Sequence, residues 1–134
     1  MSIVIMTSGQ LSQLVSIAKS SLPNESCAFL LGKSSRDESV VLEVMPMANA
    51  ERSPVSFSIN PDELLKAYDV AEERGHDVIG IFHSHPGKPT PSGTDIKFME
   101  LNPVVWVIYS TTENEFKAFV SDVQVREVAI KTKD

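Results

Sequence analysis

The unbroken run Val78-Ile79-Gly80-Ile81-Phe82 passes directly into His83-Ser84-His85-Pro86, and no other stretch constrains the fold as strongly. An apolar run this short, with no polar alternation, predicts a strand covered on both faces and therefore central in its sheet. Side chains repeat every second residue along a strand, so His83 and His85 point the same way where the strand ends. Pro86 then turns the chain. A covered central strand needs helices packed beside it, which makes the chain an α/β protein.

The remaining elements fit that class. A strand is expected over 2–6, then a helix from Thr7 or Ser8 to about Ser21, with Leu11, Leu14, Val15, Ala18 and Leu22 on one apolar stripe. Ser26 to Gly32 reads as a buried strand, Lys33 to Ser39 as a turn and Val40 to Met45 as the returning strand of a hairpin. Val55, Ser56, Phe57, Ser58 and Ile59 alternate as an edge strand does. Asn60-Pro61-Asp62-Glu63 opens a second helix, with Asn60 as cap and Glu63 closing a capping box. Leu64, Leu65, Tyr68 and Ala71 are its expected buried face, and Gly75 its stop. Ser92 caps a third helix over about 93–101, and strands are expected at Val104–Tyr109, Phe116–Val120 and Gln124–Ile130. Residues 1–134 are read as a single domain: a mixed β-sheet flanked by helices.

Composition removes several function classes. Twelve basic against eighteen acidic residues give a net charge of −6, without the basic stripe of a nucleic-acid binder. No run approaches the roughly 18 apolar residues of a membrane span, and the N-terminus does not resemble a secretory signal. A single cysteine, Cys27, excludes an intrachain disulfide and suits a reducing, cytoplasmic compartment. The expected partners include no nucleic acid and no membrane. The stripe on the first helix would suit a homodimer interface as well as a core.

The chemistry gathers around the two histidines. Asp95 returns at a helix start and can add an oxygen to the two imidazole nitrogens. Two nitrogens and one oxygen are a set that zinc accepts, with the fourth position left for water, which is the pattern of a catalytic rather than a structural site. Zinc brings the pKa of its water to about 7. Hydrolysis also needs a general base, which spacing does not decide: Glu25, before a buried strand and after a Pro-Asn turn, is the attractive candidate, and Glu43, Glu51 and Glu63 stay open. Ser92, three residues before Asp95, can place a hydroxyl near the same point. Cys27 reads as a small buried residue, not a nucleophile.

Pro23-Asn24-Glu25, the strand ending at Gly32, His83-Ser84-His85-Pro86 and Ser92-Gly93-Thr94-Asp95 together resemble the JAMM (MPN+) metalloprotease family, in a compact archaeal or bacterial form. The family usually has seven residues between the second His and the Ser, where this chain has six, Pro86 to Pro91, and often has Gly where Ala28 stands. The resemblance implies an MPN-type fold, similar to that of the cytidine deaminases, with one catalytic zinc ion and its bound water held by His83, His85 and Asp95. It implies Glu25 as general base and acid and Ser92 as oxyanion stabiliser. The reaction it implies is hydrolysis after the C-terminal glycine of a ubiquitin-like modifier. The alternative partner is a sulfur-carrier protein with the same Gly-Gly tail. Such a tail is extended and can add a strand beside the site, with Val55–Ile59 as the expected edge. A non-catalytic scaffold of the same fold is the third reading, although such relatives typically lose the ligands that this chain keeps.

Overall fold

The apolar segments of the chain pair into one mixed sheet that closes on itself. The computed structural model describes residues 3–47 and 60–134, so the expected edge strand Val55–Ile59 and the candidate base Glu51 lie outside the described residues. In chain order the elements are β1 (Ile3–Met6), α1 (Ser8–Ser21), β2 (Cys27–Ser34), β3 (Glu38–Met47), α2 (Pro61–Glu73), β4 (Asp77–His85), α3 (Gly93–Leu101), β5 (Val105–Ser110), β6 (Glu115–Ser121) and β7 (Val125–Thr132).

The strand order is β1-β3-β2-β4-β5-β6-β7, and β1 joins the two ends by running parallel to both β3 and β7. The strand β4 lies antiparallel to β2 and parallel to β5, in the middle of the array. The mixed sheet is as expected; that it closes into a barrel is more than the expectation of a sheet flanked by helices contained. The pairings that close it join the ends of the chain, where no local pattern announces them.

Alternation along the strands feeds two cores. Ala28 and Leu30 of β2 and Val105, Val107 and Tyr109 of β5 pack with Leu14 and Ala18 of α1. Cys27, Phe29 and Leu31, with Trp106 and Ile108, pack with Ala67 and Ala71 of α2 and Met99 of α3. The apolar stripe of α1 is thus spent within the chain, apart from Leu22, which is exposed.

The helix ends follow their residues. Thr7 caps α1 in a capping box with Gln10. Gly75, at φ +70°, follows the end of α2 in the left-handed region that glycine adopts without strain. Two details differ from expectation. The Asn60 side chain accepts from Asp62 N–H, and no box with Glu63 forms. Leu65 and Tyr68 are exposed, because α2 meets the sheet through Ala67 and Ala71 with Leu64 beside them. Small residues allow a helix to lie close, and that face is as regular in spacing as the more hydrophobic one.

Candidate active site

The buried strand β4 carries the two histidines to the place where α3 begins. Ile81 faces the α2–α3 core, so His83, two residues on, points toward the same side. His83 is 1% exposed and His85 11% in their side chains, with ring centroids 5.1 Å apart and the planes inclined at 62°. Antiparallel pairing of β2 with β4 sets Cys27 opposite His83, which brings Glu25, just before β2, beside the imidazole. Glu25 Oε1 is 3.2 Å from His83 Nε2, and Asp95 Oδ1 is 3.3 Å from the same nitrogen. Asp95 Oδ2 lies 3.8 Å from His85 Nε2.

Asp95 is aimed by the cap of α3. Ser92 Oγ accepts from Asp95 N–H at 3.1 Å, and Asp95 Oδ2 accepts from Ser92 N–H at 2.9 Å. This reciprocal box satisfies two helix-end donors and fixes the carboxylate at the positive end of the helix. Ser92 itself is exposed, and with Glu25, His85 and Pro86 it lines a cleft of about 270 Å³. In the six-residue loop 86–91, Gly87 N–H donates to Thr112 Oγ1 at 2.8 Å, and just before the loop the His85 carbonyl accepts from Thr111 N–H at 3.0 Å. The His85 ring sits between the carbonyls of Pro86 and Thr90, at 2.9 and 3.1 Å.

Burial shapes the protonation of these groups. The His83 pKa is pushed down to about 3, chiefly by burial and then by the neighbouring His85, against the opposing pull of the Ser26 carbonyl. The imidazole is therefore neutral at physiological pH, as a metal ligand must be. Its Nδ1 lies 3.3 Å from that carbonyl, an arrangement that places the proton on Nδ1 and the lone pair on Nε2. Burial raises the Asp95 carboxyl, while the Ser92 backbone N–H, His85 and the Ser92 hydroxyl pull it down. A cation in the site would favour the ionised form further.

His83, His85 and Asp95 each offer one ligand atom, and these atoms lie within 4.8 Å of one another. Two imidazoles and a buried carboxylate, with one ring already oriented by a backbone carbonyl, fit a metal ion in donor type and placement. Among the other candidate bases, Glu43 pairs with Arg74, and Glu63 sits on α2 close enough to act on Cys27. The Cys27 thiol is fully buried near the Met47 carbonyl and pushed up to about 12 by burial and then by Glu63, so it is no nucleophile. Trp106 is a core residue whose indole N–H reaches the Asn102 carbonyl. His76 stands at the opposite end of β4, half-buried, away from the other two histidines.

Two buried hydroxyls, Ser26 and Ser84, stand beside the site, and no sequence pattern marks them. Serine at a strand end has no periodicity to reveal it, and only the register of β2 against β4 brings the two together.

Comparison with known proteins identifies the family. The family of prokaryotic homologs of the JAB domain matches residues 7–122, a span that includes Glu25, His83, His85, Ser92 and Asp95. A desampylase from Pyrococcus furiosus is 43% identical over 97 residues, 72% of this chain and 66% of that protein. A CysO-cysteine peptidase from Mycobacterium tuberculosis is 29% identical over 112 residues, 83% of this chain and 75% of that protein. The solution structure of a Desulfitobacterium hafniense protein superposes with a TM-score of 0.85 at 33% identity, covering 98% of this chain and 93% of the other. A strand ending in paired histidines, a carboxylate at a helix cap and a match that runs through both place this chain in the JAB-domain family of prokaryotic proteins.

Proposed function

We propose that this chain is a zinc-dependent isopeptidase that hydrolyses the bond after the C-terminal glycine of a ubiquitin-like modifier. The observation that carries this reading is the convergence of His83, His85 and Asp95 next to Glu25, at a cleft that also holds Ser92. His83, His85 and Asp95 would hold the ion. Zinc, when bound, supplies Lewis acidity that acidifies water and polarises the scissile carbonyl.

The chain's own residues carry the proton and the charge. Glu25 takes a proton from the attacking water as the new C–O bond forms at the glycine carbonyl carbon. It then gives that proton to the departing lysine Nζ as the C–N bond breaks. Ser92 Oγ accepts from Asp95 N–H, and its own hydrogen, which the Asp95 carboxylate can also attract, would turn to the carbonyl oxygen as that oxygen becomes anionic. The low exposure of Glu25 and His83 keeps bulk water from weakening these interactions.

The substrate's Gly-Gly tail is proposed to pair by backbone along Val55–Ile59. Ser56→Pro removes one N–H from that segment, so cleavage should weaken while zinc binding stays unchanged; equal activity in the variant would remove this element. Likeness to a desampylase favours the isopeptidase reading, and likeness to a CysO-cysteine peptidase favours trimming of a sulfur-carrier protein as the second reading. The two differ only in the leaving amine. Two matched substrates decide between them, one a lysine isopeptide and the other a linear C-terminal extension. Faster cleavage of the isopeptide supports the first reading, faster cleavage of the linear bond supports the second, and cleavage of neither rejects both.

A further inference from the structure

We infer that Ser84, acting with Ser26, is a positioning residue that holds the Ser26 backbone, and with it Glu25 and the carbonyl facing His83, in working geometry. This rests on the isopeptidase reading for what the geometry serves. The observation is how the β2–β4 ladder ends. Its regular pairing reaches Cys27 opposite His83. One step further, Ser84 N–H donates to the Ser26 carbonyl at 3.1 Å, as a ladder would. In return, Ser26 N–H donates to the Ser84 hydroxyl at 3.0 Å. The two hydroxyl oxygens are 2.6 Å apart, and the residues are 2% and 0% exposed.

A side chain therefore carries the strand pairing past the ladder, at the point where the catalytic groups leave it. Only a hydroxyl suits this place, because one oxygen must accept from an N–H and still share a proton with a second hydroxyl. The arrangement holds the backbone on both sides of Ser26, one peptide by its N–H and the next by its carbonyl. The Ser26 carbonyl faces His83 Nδ1 at 3.3 Å, and the residue before Ser26 is Glu25, whose carboxylate lies 3.2 Å from His83 Nε2. The Ser26 N–H belongs to the peptide that follows Glu25 and the Ser26 carbonyl to the peptide that precedes Cys27, so a change in the Ser26 backbone angles would shift both the base and the acceptor that orients the ligand. Without Ser84 Oγ, a buried Ser26 N–H would lose its acceptor, and such a group relieves its cost by moving.

If the pair only stapled two strands, its loss would lower stability and nothing else. The test is therefore zinc affinity, read by competition with a chromogenic chelator, together with kcat and KM on the isopeptide substrate. Ser84→Ala should weaken zinc binding by about 10- to 100-fold, the usual range for losing an outer partner of a ligand. It should lower kcat by more than it changes KM. Ser84→Thr, which keeps the hydroxyl, should restore both toward wild type. Ser26→Ala, which keeps the Ser26 backbone and the Ser84 oxygen, should show a smaller loss of the same kind. Variants that melt earlier but hold zinc affinity and kcat within twofold of wild type would overturn the inference. If Ser84→Ala does not fold, Ser84→Cys, with a weaker acceptor at the same point, is read by the same two outcomes. Wild-type protein that binds zinc but cleaves neither substrate rejects the isopeptidase reading, and the zinc affinities still decide the role of Ser84. Wild-type protein that binds no zinc rejects both.

Discussion

Glu25 Oε1 lies 3.2 Å from His83 Nε2, at the end of two antiparallel strands whose register sets Cys27 opposite His83. Glu25 stands two residues before the last pair of that ladder, so the strand register sets how close the proposed base comes to a proposed ligand. A base placed on a rigid element beside the reacting centre supplies its rate advantage without reorganisation.

Glu25→Gln separates binding from turnover. The amide keeps the shape of the side chain but cannot accept the water's proton. Turnover should fall by about 10²- to 10⁴-fold, the ordinary contribution of a general base. Zinc content, measured by metal analysis on the same sample, should stay at the wild-type value. Near-normal turnover would move the base elsewhere, with Glu63 the next to test.

Ser92 has two roles that two substitutions can part. As the cap of α3 it aims Asp95, and replacement by Ala should cost about 1 kcal/mol of stability. As an oxyanion donor its loss should cost about 10²- to 10³-fold in kcat. Ser92→Asn caps a helix nearly as well but presents no hydroxyl at that point. Thermal melts should therefore show Asn close to Ser, while kcat stays as low as in Ser92→Ala. Recovery of kcat with Asn would assign Ser92 to capping alone.

The buried His83 makes the metal-free protein sensitive to acid. Its pKa is held near 3 by burial and by His85, against an ordinary 6.5 in the unfolded chain. Below pH 6.5 the unfolded chain therefore takes up a proton that the folded chain refuses. Stability from this group is full above pH 6.5 and is lost as pH falls toward 3, at a limiting slope of about 1.4 kcal/mol per pH unit. Denaturation midpoints of chelator-treated protein at pH 6.5 and pH 5.0 should show the loss, and His83→Gln should flatten it. A midpoint that does not change over that interval in the parent protein would contradict the assignment of His83 as buried and neutral.

Much of the site could be read before the fold was known, and for local reasons. A strand that ends in His-x-His and a Ser-x-x-Asp cap are both short-range geometries, so the directions of His83, His85 and Asp95 follow from spacing alone. Glu25 was legible only through a family likeness, because its approach to His83 depends on strand register. Ser26 and Ser84 were silent for the same reason. In the fold, helix starts at Thr7, Asn60 and Ser92 carried their own capping chemistry. The buried face of α2 does not follow from hydrophobicity alone, because Ala67 and Ala71 pack closely while the larger Leu65 and Tyr68 face outward. The hairpin strands run further than their apolar stretch, to Ser34 and from Glu38. There backbone pairing and a Ser34–Ser39 hydroxyl contact of 2.7 Å sustain the ladder in polar residues. Barrel closure through β1 is a contact between distant parts of the chain and leaves no mark on either part.

Zinc content and isopeptide cleavage, followed together in one preparation, test the central claim most directly. The protein would be assayed as purified, after complete chelation, and after zinc is returned. The expected result is one zinc per chain, cleavage that disappears with the metal, and cleavage that returns with it. Undiminished cleavage in protein shown to be free of metal would contradict the assignment of His83, His85 and Asp95 as the ligands of a catalytic ion.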